Sequence, residues 1–434
     1  MEYLVINGRK RLQGEVNAQG AKNAAVAVIS AAVLANDVCI VDNLPNIEDI
    51  TNLIAAMNDL GIKCRFIDDN CHCLEIDPRN IKNHMAIGSS VTKIRASYYL
   101  IGVLLGKYRK AEVAMPGGCN FGNRPIDQHI KGFKALGAEV FVENGLVKAY
   151  AEDLIGSSIY LDVVSVGATI NIMLAAALAE GTTVIENAAK EPHVVDTANM
   201  LNMMGAKIKG AGTDVIRITG VKELKGVEYT IIPDQIEAGT YMIAAAATGG
   251  DVTVKNIIPR HMDSLTAKLY EMDCSVMAGD DYIRVIGPER LKATNIKTRA
   301  YPGFPTDLQP QMTALLSTAE GTSFITENIW ESRFQYVDEL KRLGCNITVE
   351  GKAAVVEGGG RLTGAEANAT DLRAGASLVI AALAAEGRTL IGNVRFIDRG
   401  YEDIVGKLAA LGADCIRVDT KEQAKKVKFI REIG

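Results

Sequence analysis

Tryptophan occurs once in these 434 residues, histidine five times and cysteine eight times. Cysteine this sparse excludes the disulfide framework that staples small secreted domains, and a reducing cytoplasm is the expected setting. Aromatics make up only 5% of the chain while alanine is plentiful, the composition that close helix packing requires. No apolar run approaches the roughly 18 residues needed to cross a bilayer, so no membrane partner is expected. Met1–Gly8 holds no basic segment followed by an apolar one, so no signal peptide is expected either. A net charge of −5 excludes the basic stripe that a nucleic-acid surface would need. There is no Ser-His-Asp spacing, no Walker loop and no dinucleotide fingerprint. Cys71-His72-Cys73 matches no standard zinc spacing, and the alternation from Cys71 to Ile76 predicts a strand. Neither a metal nor a cofactor is expected.

What the chain does have is repetition. An alanine-rich helix, a loop, a strand ending near Asn, a polar turn, a second helix, Leu-Gly and another strand recur along its length. Three clear copies begin at Asn171, Met312 and Leu378, and fainter ones near Val26, Leu100 and Tyr241. The closing glycines are Gly61, Gly137, Gly205, Gly344 and Gly412, with Asp273 in the remaining slot. Within one copy, the segment from Gly181 to Asn187 alternates like a half-buried strand, and Val195, Ala198, Leu201 and Met204 follow at helical spacing. Strand-like and helix-like patterns alternate throughout, so the class is α/β or α+β with six repeats. Ile231-Ile232-Pro233-Asp234 is the strongest punctuation near the middle and favours two lobes of three repeats, with a ligand cleft between them. Tyr3–Ile6 fits a strand that either lobe can take.

The copies differ where chemistry is expected. The second replaces the strand-to-Asn ending with Met115-Pro116-Gly117-Gly118-Cys119, a thiol in a glycine-rich loop five residues ahead of Arg124. Glycines let a ligand come close, and a nearby guanidinium favours thiolate and grips phosphate or carboxylate. Lys22 stands just ahead of an apolar helix, where anions bind, and Thr92–Ser97, with Arg95, opens the second unit's helix in a similar way. Asp307 and Asp371 begin the last two alanine-rich helices, and both residues are also good N-caps. Arg373 sits in a first helical turn, which disfavours a cation unless an anion is present. Arg399 adds a cation at a turn. His129, close to the thiol loop, is expected to orient neighbours rather than do chemistry. Together these residues describe a two-lobed, anion-binding enzyme. One aspartate is available to take a proton from a hydroxyl, and Cys119 to act as acid or nucleophile.

The same segments resemble the enolpyruvyl transferases over essentially the full length. The resemblance rests on Gly20-Ala21-Lys22-Asn23-Ala24, Arg95-Ala96-Ser97, the Pro-Gly-Gly-Cys loop through Arg124-Pro125-Ile126-Asp127 and Ser165-Val166-Gly167-Ala168-Thr169. It continues through Pro233-Asp234, Phe304-Pro305-Thr306-Asp307, Thr370-Asp371-Leu372-Arg373-Ala374 and Asp398-Arg399-Gly400-Tyr401. It implies two inside-out α/β barrel domains of three repeats each: residues 22–232, and a discontinuous domain of 1–21 plus 233–434 that takes the N-terminal strand. The implied reaction moves the enolpyruvyl group of phosphoenolpyruvate onto the 3-hydroxyl of UDP-N-acetylglucosamine and releases phosphate.

By the same resemblance, Asp307 deprotonates the hydroxyl, and Cys119 serves as general acid or covalent nucleophile. Lys22, Arg124 and Arg399 grip phosphate and carboxylate, and Asn23 positions the reacting groups. Arg95, the segment Arg124, Pro125, Ile126, Asp127 and Gln128, and Ser165, Val166 and Gly167 hold the nucleotide sugar. Asp307 and Ile329 lie near the sugar ring, and Asp371 and Arg373 support the site. Two other readings stay open. One is the sister enzyme acting on shikimate 3-phosphate, whose members lack the Pro-Gly-Gly-Cys loop; the other is an idle paralogue that only binds the nucleotide sugar.

Overall fold

Among the described residues, six four-stranded sheets repeat one strand order. The third sheet shows the pattern. The edge strand Ser158–Tyr160 runs parallel to the central strand Thr182–Glu186, which is antiparallel to Val215–Thr219, itself antiparallel to Lys207–Lys209. The helix Val166–Ala176 links edge to centre, and Pro192–Met203 links centre to the outer hairpin. The computed structural model describes residues 2–115 and 126–427, with the side chains of Ser89 and Arg95 also outside the description. Cys119, Arg124 and Pro125 therefore lie outside the described residues.

The first helix of each repeat is mostly apolar, with no continuous polar face, and is buried on nearly every side, as that pattern requires. Lys22–Ala32, Tyr99–Tyr108 and Val166–Ala176 are of this kind, and so are Gln235–Ala247, Gln309–Leu316 and Leu372–Ala384. The second helices bury one stripe only; Glu48–Asp59 buries Ile50, Leu53, Ala56 and Met57. Strands bury alternate residues, as in Val215–Thr219, where Ile216 and Ile218 point inward. Helices therefore form the centre and sheets the outside. This is an inside-out α/β barrel, built twice.

Packing divides the chain between Gln19 and Gly20 and again between Ile232 and Pro233. Each unit contains three sheets and is closed by a strand from a distant part of the sequence. In the unit from Gly20 to Ile232, Glu228–Thr230 returns to pair with Cys39–Asp42. In the other, Tyr3–Asn7 lies between Arg388–Gly392 and Asp414–Val418, antiparallel to both, and Gln13–Asn17 pairs with Asp251–Lys255. The N-terminal strand thus belongs with the C-terminal repeats. The first division falls before Lys22 because Ala21 N–H already donates to Ile232 O, inside the unit that begins at Gly20.

The Asn that ends each central strand has a structural task. Asn43, Asn187, Asn256, Asn328 and Asn393 each donate a side-chain N–H to the carbonyl just past the neighbouring edge strand: Ile231, Leu161, Ala18, Thr298 and Ala369 respectively. Four of them take positive φ, between 54° and 62°, which Asn tolerates better than most side chains. Met115 occupies this position in the second repeat and cannot make the clasp. The closing glycines also explain themselves. Gly61, Gly137, Gly205, Gly344 and Gly412 have φ between 91° and 109°, the left-handed turn that ends a helix, and Asp273 adopts φ 67° in the same slot.

The strand expected over Cys71–Ile76 is shorter and later, Leu74–Asp77. Asp68 accepts the N–H groups of both His72 and Cys73, and Cys71 has φ 60°, so these residues form a turn and not a ladder.

The closing strand of the Gly20–Ile232 unit carries a pH-sensitive joint. Tyr229 OH donates to Asp196 Oδ1 at 2.6 Å, and Ile232 N–H reaches Asp196 Oδ2 at 3.4 Å. Burial pushes the Asp196 carboxyl up to about 6 from 3.8, although both hydrogen bonds oppose the shift. Below about pH 3 the group is protonated folded or unfolded. As pH rises, the unfolded chain releases the proton first, so stability is lost through the folded pKa. Wild type should lose about 2 kcal/mol between pH 4 and 6 relative to Asp196→Asn, and about 3 kcal/mol over the wider span from pH 3 to 7, measured by urea unfolding of both proteins across that range. Parallel pH curves for the two would refute it.

Candidate active site

The expected site residues fall into two groups, one in each unit. In the Gly20–Ile232 unit, three segments meet around Asn171 in the third buried helix. Asn171 Oδ1 accepts from Gly102 N–H at 2.8 Å, and its Nδ2 donates to Tyr98 O at 2.8 Å. The same Nδ2 lies 3.0 Å from His129 Nδ1, which ties the His129 ring to this hub. Tyr98 ends the short 3-10 turn Arg95–Tyr98, which places the Arg95 backbone beside this hub.

Gln128 ties two of these segments together. Its Nε2 donates to Asp127 Oδ2 at 2.8 Å and to Asp162 Oδ2 at 3.1 Å, while Asp162 N–H returns a bond to Gln128 Oε1 at 2.9 Å. Ser165 caps its helix by accepting from Ala168 N–H. Gly167 lies against the His129 ring, where an added Cβ would stand 3.2 Å from Nε2. Ile126, Asp127, Gln128, Ser165, Val166 and Gly167 are thus held in one neighbourhood. Lys22 opens the first buried helix with Asn23, and its ammonium meets Asp49 Oδ2 at 2.6 Å. Asp49, 9% exposed at its side chain, is a partner the sequence did not reveal; it stands in the first turn of a different helix.

The second group decides between capping and chemistry for the two aspartates. Asp371 is a cap: Oδ1 accepts the N–H groups of Arg373 and Ala374 at 2.8 and 3.1 Å. Asp307 makes no cap. It lies in the 3-10 turn Thr306–Leu308, with Oδ2 3.0 Å from Arg373 Nη2 and Oδ1 3.5 Å from Arg333 Nη2. Its own side chain keeps 31% exposure, whereas Arg333 and Arg373 keep 2% and 6%. Here is the anion that allows Arg373 in a first helical turn. Burial alone would lower the Arg373 guanidinium, but Asp307, with Tyr401 and Asp234, outweighs it and holds the group above its ordinary value.

Arg333 and Glu327 were invisible from the sequence. Arg333 also donates to Thr306 O at 3.0 Å. Glu327, fully buried, accepts from Thr298 Oγ1, Thr306 Oγ1, Ile329 N–H and Trp330 N–H. It joins the Asp307 turn to the loop presenting Ile329, which is 38% exposed. Glu327 stands just before its strand-ending Asn, where Asp42 and Glu186 are exposed in other repeats, and only packing separates the cases. Tyr401, two residues past Arg399, lies 5.9 Å from Arg373 Cζ, so the Arg399 turn adjoins the same cluster. Arg399 itself is half-buried.

Two three-repeat barrels, with a half-exposed carboxylate oriented by buried arginines and a lysine set at a helix start, define an α/β enzyme for anionic substrates. Residues 6–408 match the family described as EPSP synthase (3-phosphoshikimate 1-carboxyvinyltransferase). The UDP-N-acetylglucosamine 1-carboxyvinyltransferase of Clostridium botulinum is 57% identical over 96% of this chain and 100% of its own length. The enolpyruvyl transferase NikO from Streptomyces tendae is similar in structure, with TM-score 0.86 and 27% identity, over 96% of this chain and 99% of its own. EPSP synthase from Acinetobacter baumannii shares the fold at TM-score 0.71 and 21% identity, over 96% of this chain and 100% of its own. The chain belongs to the enolpyruvyl transferase family. Among the described residues, no helix is long and apolar enough to cross a membrane, and no group of three potential metal ligands occurs.

Proposed function

We infer that this chain transfers the enolpyruvyl group of phosphoenolpyruvate to the 3-hydroxyl of UDP-N-acetylglucosamine, releasing phosphate, as the first committed step toward peptidoglycan precursors. The observation that carries this reading is the 57% identity with a curated enzyme of that name over nearly the whole of both chains. The cytoplasm is the setting it implies.

The reaction is an addition followed by an elimination. Protonation of the methylene carbon of phosphoenolpyruvate develops oxocarbenium character at C2. The sugar hydroxyl attacks that carbon as its own proton leaves, and the tetrahedral ketal then loses a proton from its methyl group as it expels phosphate, which restores the carbon–carbon double bond. In this reading Asp307 takes the hydroxyl proton, and its bonds to Arg373 and Arg333 aim the carboxylate while leaving it reachable. Cys119 delivers the proton to carbon or captures the electrophile covalently. Lys22, Arg124 and Arg399 offset the charge of phosphate and carboxylate, with Asn23 beside Lys22. Arg95, Arg124 to Gln128 and Ser165 to Gly167 hold the nucleotide sugar, and Ile329 adjoins its ring. Asp371 serves by capping the helix that carries Arg373.

The direct test is phosphate release from phosphoenolpyruvate with UDP-N-acetylglucosamine, and with shikimate 3-phosphate in parallel. Release with the nucleotide sugar alone, with a product heavier by one enolpyruvyl group, is expected. Release only with shikimate 3-phosphate would reassign the chain to the sister activity. Silence in both, with nucleotide-sugar binding intact, would make it an idle binder. A second expectation concerns the thiol. Fosfomycin, an epoxide that alkylates the family's loop cysteine, should inactivate wild type but not Cys119→Asp, which keeps an acid and loses the nucleophilic sulfur. Equal inhibition of the two proteins would remove Cys119 from the site.

A further inference from the structure

Gln19 spends all four of its polar groups inside the unit that carries Arg399. Its backbone N–H donates to Glu237 Oε2 at 2.6 Å, and its carbonyl accepts from Asp234 N–H at 2.8 Å. Its side chain then spans the turn at Arg399. Nε2 donates to Gly400 O at 3.0 Å, and Oε1 accepts from Glu402 N–H at 2.9 Å. These contacts join residues more than 380 positions apart, and Gln19 is only 8% exposed. Glu237, the anchor, is fully buried and paired with Lys407 at 2.8 Å.

The turn is pinned elsewhere as well. Tyr401 OH lies 2.9 Å from Thr240 Oγ1 and accepts from Gln311 Nε2 at 3.2 Å, and Asp398 is held by Arg417 at 2.6 Å. Those contacts fix side chains. The Gln19 side chain bonds the main chain of both Gly400 and Glu402, on either side of Tyr401. A carboxamide suits this task because one end donates and the other accepts. Gln19, three positions before Lys22 in the chain, thereby fixes the two peptides that flank Tyr401, next to the Gly400 and Tyr401 N–H groups that Ile397 O holds at 3.0 and 3.1 Å.

We propose that Gln19 is a positioning residue that holds the Arg399 turn in the geometry that engages phosphoenolpyruvate. This rests on the reading that Arg399 grips that substrate. Loss of the clasp leaves the arginine in place but adds to binding the cost of ordering its loop, and that cost falls on one substrate only. Gln19→Met keeps the volume and every backbone bond and removes both side-chain bonds. Gln19→Glu keeps the acceptor toward Glu402 and removes the donor toward Gly400.

The experiment is initial-rate kinetics of wild type, Gln19→Met, Gln19→Glu, Arg399→Lys and the Gln19→Met/Arg399→Lys double variant, each first shown to be folded by its thermal melt. KM for phosphoenolpyruvate should rise about tenfold in Gln19→Met and at least as much in Gln19→Glu, whose carboxylate oxygen faces the Gly400 carbonyl. KM for UDP-N-acetylglucosamine and kcat should stay within twofold. The double variant should be little worse than Arg399→Lys alone, because both changes act through one guanidinium. A folded Gln19→Met with unchanged KM for phosphoenolpyruvate, where Arg399→Lys raises it, would overturn the inference and leave the Arg399 reading standing. Equal rises in both KM values, or fully additive effects, would make Gln19 structural only. No effect of Arg399→Lys on phosphoenolpyruvate would overturn the reading beneath the proposal.

Discussion

Asp307→Asn lowers kcat about a thousandfold while KM for UDP-N-acetylglucosamine changes by no more than a few fold; a positioned general base contributes about 10²–10⁴. Asparagine keeps the shape and one acceptor oxygen, so the Thr306–Leu308 turn is preserved. On the proposed reading of Asp307 as the base, it loses the capacity to take a proton from the sugar hydroxyl. The expected signature is a loss carried by kcat rather than by binding, because the interaction is made as the proton moves.

Asp307→Ala goes further, for a reason separate from chemistry. Arg333 and Arg373 are 2% and 6% exposed, and the Asp307 carboxylate offsets both guanidiniums. Removing it costs about 3–5 kcal/mol, the range for breaking a buried ion pair from one side. The alanine variant should therefore melt well below wild type, with the asparagine variant between the two. Steady-state kinetics and thermal melts on both variants separate the effects. If Asp307→Asn retains kcat within threefold, the base is another group.

Gly102→Ala should be strongly destabilising, because it forces apart two buried helices of the Gly20–Ile232 unit. An added Cβ would stand 2.2 Å from Asn171 Oδ1 and 2.4 Å from Asn171 O. The side-chain contact alone would be relieved by rotation, but the carbonyl belongs to the backbone of the neighbouring buried helix. Tyr99–Tyr108 and Val166–Ala176 must then separate, and the bond from Gly102 N–H to Asn171 Oδ1 is lost with them. Overpacking usually costs about 1–3 kcal/mol; a backbone clash with a lost buried hydrogen bond raises this to about 4 kcal/mol. At about 2–4 °C per kcal/mol, the melting transition falls by roughly 10 °C.

Two controls sharpen the expectation. Gly360, with nothing within 4 Å of an added Cβ and no positive φ, should accept alanine with almost no change. Asn171→Ala should not rescue Gly102→Ala, since the main-chain carbonyl remains. A Gly102→Ala protein that melts with wild type would show that the two helices are not held at this distance. The Asn171 hub also holds His129 and the Tyr98 carbonyl, so a displaced hub should weaken nucleotide-sugar binding before it unfolds the unit.

Much of the architecture was written in local pattern. Alanine-rich runs without a polar face had to be buried all round, and amphipathic runs such as Val195–Met204 had to lie on a surface. Leu-Gly pairs marked the left-handed helix ends, and the recurring Asn marked a strand end whose side chain clasps the next strand. Six repeats and an α/β class follow from that. The departures from pattern at Lys22, Cys119, Asp307, Arg373 and Arg399 stood out against the repeat for the same reason, and their roles belong to the proposed function.

What stayed hidden were relations between distant segments. Asp307 and Asp371 have the same local setting, an aspartate at the start of a buried helix. Asp371 caps it and Asp307 does not, and the difference lies in Arg333 and Arg373 arriving from other parts of the chain. Glu327 cannot be told from Asp42 or Glu186 until the fold buries it. Gln19 is an ordinary polar residue until Gly400 and Glu402 are brought to its side chain. By itself the sequence determined the periodicity, the repeat count, the helix and strand identities and the residue types available for chemistry. These depend on contacts between near neighbours and on the sorting of apolar from polar surface. Only the tertiary structure decided which carboxylate meets which guanidinium and which strand closes each barrel, because those bonds depend on distances that sequence separation does not encode.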